Sequence, residues 1–100
     1  LLAGPKSTGQ LVIDDGASLA LRERGASLLA KGVKTVKGQF ERGDVIEVVT
    51  CQGQCIAKGL VNFNHQEIDQ IKGCHSSQIT ELLVFAPSSE VIHRDDMILL

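Results

Sequence analysis

Apolar residues fall along this chain in runs of two to four, and the spacing within each run predicts an element. Leu11 to Ile13 is an apolar strand with two β-branched residues, and Asp14 or Asp15 after it can cap a helix by accepting from its free first-turn amides. Ala17, Ala20 and Leu21 recur at i, i+3 and i+4 and predict one apolar face for that helix. Arg22 and Arg24 would lie late in it, complementing the dipole, and Gly25 would end it. An apolar turn at Leu28 and Leu29 leads into a strand where Val33 and Val36 bracket exposed lysines. "VIEVVT" and "CIAKGLVNF" predict a hairpin around "CQGQC", with Gly53 supplying the permissive backbone. Asn64 with Glu67 three residues on is a capping box, with Ile68 and Ile71 as the buried face and Gly73 as the stop. A second short helix is expected in "SSQITELLVF", capped by Ser76 or Ser77, then a loop at Pro87 and a last strand in "EVIHRDDMILL".

The order β-α-β-β-β-α-α-β lacks a regular β-α-β rhythm. It predicts a mixed α/β, mainly β fold: one small, closed or partly closed sheet with short helices at its rim. One hundred residues suffice for a single domain with one modest core. No apolar run approaches a membrane span, and "LLAGPK" lacks the features of a signal peptide. The one methionine is Met97, so a piece of a longer polypeptide is expected. Three cysteines cannot all pair within the chain, which favours a reducing compartment and hence the cytoplasm.

Net charge is −2, unlike a dedicated nucleic-acid binder, but its distribution is uneven. Arg22, Arg24, Lys31, Lys34 and Lys37 face only Glu23 within one stretch, which could present a local positive surface to phosphates. Against this, the only aromatic residues are Phe40, Phe63 and Phe85, leaving little for base stacking.

Catalytic and metal motifs are weak. "HRD" at 93–95 matches a fragment of the protein-kinase catalytic loop, yet the glycine-rich strand and the downstream Asn and Asp-Phe-Gly are missing. Asp95 and Asp96 beside Arg94 read as a solvated bend. Cys51, Cys55, Cys74, His65 and His75 could supply zinc ligands, but Cys74 and His75 are neighbours that diverge in an extended chain. Cys51 and Cys55 would stand opposite each other if the hairpin loop is Gln52-Gly53-Gln54, or diagonal if it is Gln52-Gly53. Small, partly buried thiols are the better reading. The glycines are spread singly, and no Walker-type sequence occurs.

"TGQLVIDDGASLALRERGASLLAKGV", "GQFERGDVIEVV" and "IAKGL", taken as a set, resemble the PUA domain, a small pseudo-barrel module. "LLAGP", "RGASLLAKGV", "FERGDVI", "IKGCHSSQI" and "VIHRDDMI" are similar to the C-terminal PUA domains of the bacterial glutamate 5-kinase family. The resemblance implies a PUA-like pseudo-barrel of short strands with peripheral helices, closed by "VIHRDDM". It implies an upstream amino-acid-kinase domain that binds ATP, Mg2+ and glutamate and phosphorylates the glutamate side chain under feedback by proline. This chain would then hold no cofactor and no catalytic residue. Its partners would be that kinase domain, in a homo-oligomeric parent, or else RNA, with no membrane involved. By position, the RNA surface of PUA domains falls on Arg22, Arg24, Lys31, Gly32 and Lys34, with Arg94 in support.

Overall fold

The computed structural model of the protein describes residues 9–73 and 90–100. Strand β1 (Gly9–Ile13) buries Leu11 and Ile13 on alternate positions and runs into helix α1 (Asp15–Arg24). Asp14 is the N-cap, its Oδ1 accepting from the Ala17 N–H at 2.7 Å, and Gly25 ends the helix at a left-handed φ of 62°. The buried positions of α1 are Ser18 and Leu21, with Ala17 packed only partly against the core. The apolar face expected at Ala17, Ala20 and Leu21 is thus rotated toward Ser18. Ala17 and Ala20 are only partly buried, Ala17 packing against the edge of the core and close to Gly32.

That segment is strand β2 (Leu28–Leu29) followed by a 3-10 turn (Ala30–Gly32), where the sequence predicted only an apolar turn. Strand β3 (Val33–Gly38) pairs antiparallel with β1, and Lys34 and Lys37 are exposed as expected. Strand β4 (Val45–Thr50) lies parallel to β1, and strand β5 (Cys55–Leu60) folds back on it as a hairpin.

The hairpin loop differs from both expected forms. The Thr50 N–H donates to the Gln54 carbonyl at 2.9 Å, so the loop is Cys51-Gln52-Gly53, and a bulge places Cys55 opposite Val49. Cys51 is therefore exposed in the turn and does not face Cys55. The strand also stops at Leu60 rather than Phe63, because Asn62 turns to the last segment. Its N–H donates to the Val91 carbonyl at 2.9 Å and its Nδ2 to the Glu90 carbonyl at 3.0 Å.

Helix α2 (His65–Ile71) carries the expected capping box: the Glu67 N–H donates to Asn64 Oδ1 at 2.8 Å, and the Asn64 N–H donates to Glu67 Oε1 at 2.9 Å. Ile68 and Ile71 are its buried face. Arg42, from the β3–β4 loop, makes a two-pronged ion pair with Glu67 and holds its carboxyl below the usual carboxylate range. The same loop is pinned by the Phe40 N–H donating to His65 Nδ1 at 3.2 Å. The helix predicted in "SSQITELLVF" lies outside the described residues.

The expected single last strand is two. Strand β6 (Glu90–Ile92) pairs with β2, a 3-10 turn (Arg94–Asp96) intervenes, and strand β7 (Met97–Leu99) pairs with β5. His93 Nδ1 accepts from the Asp95 N–H at 3.0 Å and caps the turn, so the polar centre of the segment is where the chain passes from one sheet to the other. Among the described residues the result is a five-stranded sheet in the order β3-β1-β4-β5-β7 and a ribbon of β2 and β6. They share one core that includes Leu11, Ile13, Phe40, Ile46, Phe63 and Ile92.

Candidate functional site

A groove of ≈ 580 Å³ runs between α1 and the β2–turn segment. Its floor is apolar, including Ala17, Leu21 and Leu28, and Arg24 and Lys31 stand at its rim, both exposed. Gly32 explains the close packing of the walls: a Cβ there would lie 2.6 Å from the Ala17 Cβ, far inside contact distance. Helix and loop can approach only over a bare backbone. The Asp14 N–H donates to the Gly32 carbonyl at 3.0 Å and the Gly73 N–H to the Ala30 carbonyl at 2.8 Å, which fixes the turn carrying Lys31 from both sides.

Of the six residues singled out from the sequence, the groove gathers Arg24, Lys31 and Gly32. Arg94 stands at its end, since the Arg94 N–H donates at 2.9 Å to Oγ of Ser27, a groove residue. Lys34 is exposed on β3 just after the turn but does not line the groove. Arg22 faces elsewhere, into hollows lined by Asp15 and Glu23 and by Cys55 and Leu100. Helix geometry requires this, for two positions are about 200° of rotation. Charges pooled along the sequence concealed it.

The groove also holds groups that sequence reasoning missed. Ser27 and Gly73 line it, as does Asp14, whose carboxylate is already engaged as the helix cap. Asp14 places one negative charge among the cations, and its N-cap position was the only signal for it. Phe40 and Phe63 are both buried in the core, so neither offers a ring to a base. Phe85 lies outside the described residues, and among the described groups a ligand here would meet cations, backbone and shape.

The thiols and the His-Arg-Asp segment are structural in their contacts. The Cys51 Sγ–H donates to the Ile13 carbonyl at 3.3 Å, and Cys55 donates to Ala57 at 3.6 Å. Burial, with Glu47 nearby, pushes the Cys55 thiol up and so away from the reactive thiolate. Among the described residues no three His, Cys, Asp or Glu side chains gather as a metal site, and no helix is long and apolar enough to cross a membrane. Arg94, Asp95 and Asp96 are all exposed on the capped turn.

A parallel β1–β4 pair inside an otherwise antiparallel sheet, with a cation-rimmed groove beside the first helix, defines a class of small β module. The chain belongs to the PUA-domain family, whose model matches residues 9–83. Among solved structures it is similar to a PUA domain from Aeropyrum pernix K1, with a TM-score of 0.63 and 25% identity, covering 86% of this chain and 41% of that one.

Its curated relatives are glutamate 5-kinases. It is 59% identical over all 100 residues to glutamate 5-kinase 2 of Pseudoalteromonas translucida and 47% identical over the same length to the glutamate 5-kinase of Vibrio vulnificus. It spans 27% and 26% of those proteins, about a quarter of each, and the match is to their C-terminal PUA region.

Proposed function

We propose that this chain is the accessory PUA domain of a cytoplasmic glutamate 5-kinase and biases the response of the kinase domain to its regulators. The observation that carries this is the identity of 59% across the whole chain to a kinase of whose length it spans only 27%. ATP, Mg2+ and glutamate would bind to the rest of that polypeptide, where the γ-phosphoryl group is transferred to the glutamate side-chain carboxylate. This domain contributes no group to the reacting atoms. Its influence is a coupling free energy between domains, typically about 1–3 kcal/mol. Removing residues 9–100 from the full-length polypeptide tests it: proline inhibition, Mg2+ requirement or assembly of the homo-oligomer is expected to change. All three staying constant would refute the modulatory role.

The groove favours a second reading, RNA binding, because Arg24 and Lys31 flank a channel whose walls are held by backbone hydrogen bonds. Phosphate neutralisation makes affinity fall linearly in log–log terms with salt, by a slope of about 0.7–0.9 per phosphate contact. R24E with K31E should therefore weaken binding to a structured RNA and flatten the salt slope by about 1–2. No binding at low salt by the unaltered domain would remove this reading.

A further inference from the structure

The five-stranded sheet leaves two exposed apolar side chains, flanking Lys58, at its β5–β7 end. Leu60 is 42% exposed and Ile98 is 70% exposed. Register places them on one face: Ile98 stands opposite Lys58, and Leu60 lies two residues from Lys58, a diagonal of about 7–8 Å. Leu100, also 70% exposed, closes the segment, its N–H donating to the Ile56 carbonyl at 2.9 Å, and lines the hollow with Arg22. Among the described residues β7 is the outermost strand of this sheet and carries Met-Ile-Leu with no charge, whereas sheet edges are normally guarded by charge, proline or a covering element.

The topology places the start of the described chain close by. β1 is parallel to β4 with Gln10 beside Glu47, so Gly9, where the described chain enters the sheet, is level with Ile46. Ile46 pairs with Gly59, and Gly59 with Met97, which makes one row across the sheet. Val45 and Leu60 are one step beyond that row, on the side from which the chain comes. Gly9 thus lies two strands from Gly59, the neighbour of Leu60, roughly 10 Å away. In the relatives, nearly three-quarters of the polypeptide is outside the matched C-terminal region.

We propose that the β5–β7 surface, centred on Leu60 and Ile98, is the docking face for the kinase portion of the same polypeptide, an assignment that rests on the accessory role above. The size of the surface favours a tethered partner over a second copy. Stable association between free proteins needs about 800 Å² per partner, more than a few side chains supply. A tether raises the effective concentration to the millimolar range and lets a small surface suffice.

Hydroxyl-radical footprinting of the full-length polypeptide and of the hundred-residue chain tests this. Oxidation of Leu60 and Ile98 is expected to be severalfold slower in the full-length polypeptide, with Leu29, in the groove, labelled alike in both. I98E in the full-length polypeptide should restore Leu60 labelling to the level of the shorter chain, with an unchanged melting profile showing that the fold is kept. Equal labelling of Leu60 and Ile98 in both polypeptides would overturn the assignment. So would protection of Leu60 that survives I98E, or protection in the shorter chain that grows with its concentration, the mark of a second copy. The accessory role fails separately: an altered proline response on deletion, with equal labelling, keeps that role and sinks the docking face. Protection without any effect of deletion does the reverse.

Discussion

Phe63→Ala is expected to cost about 3–5 kcal/mol and to leave the domain close to unfolding, since a domain of this size holds only about 5–15 kcal/mol in all. The ring is fully buried, and its segment leaves β5 just where Asn62 is bonded to β6, so sheet and ribbon meet around it. The other described aromatic, Phe40, is committed elsewhere, edge-on to His65 with ring centroids 5.9 Å apart. Among the described residues no second aromatic ring is free to fill the hole, and the cavity term adds to the lost transfer energy. Urea and thermal melts read the effect directly, at about 4–8 °C per kcal/mol. A loss below about 1 kcal/mol would mean that the two sheets do not share a tight core there.

The second large effect is Gly59→Ala. A Cβ at this position would lie 2.7 Å from Ile92 Cγ2, 2.8 Å from the Asp96 carbonyl oxygen and 3.2 Å from Met97 Cα. A side chain can swing aside, but two of these atoms are backbone at the start of β7, so the methyl group has to push β7 off β5. Overpacking of this kind costs about 1–3 kcal/mol, and the fixed backbone points to the upper end. Amide exchange should quicken first in β7, before the β4–β5 hairpin is affected. An alanine variant that melts with the native protein and exchanges like it would show that β5 and the last segment do not cross this closely.

Local chemistry accounts for what was legible in the sequence. Asn64 and Glu67 satisfy each other within one turn, Gly53 supplies the turn with a φ of 88°, and Asp14 caps α1. Each depends on residues a few positions apart, where propensity and geometry act without help. The errors lie where distant segments decide. "EVIHRDDMILL" reads as one strand with a polar middle, because nothing in it announces that Leu28 will pair with Ile92 while Gly59 pairs with Met97. The β1–β4 pair is parallel and joined through α1, β2 and β3, so no hairpin signal marks it.

The hairpin loop shifted by one residue because a bulge between Val48 and Val49 changes the register, and alternation cannot show a bulge. At the groove, the basic stretch was visible as charge, and Gly32 as a residue carried by resemblance. The separation of Arg22 from Arg24 follows from the helical period alone and was readable by projecting the charges onto it. Ser27, Gly73 and the apolar β5–β7 surface were not readable, since tertiary pairing alone brings them into place.

The central claim is that this domain acts on a catalytic domain it does not itself contain. The most direct measurement is the proline inhibition curve of ATP-dependent glutamate phosphorylation by the full-length polypeptide and by a version lacking residues 9–100. Both are expected to turn over, with the half-inhibitory proline concentration moved by at least about fivefold, the lower range of interdomain coupling. Superimposable curves would contradict the account, and so would phosphorylation of glutamate by the hundred-residue chain alone.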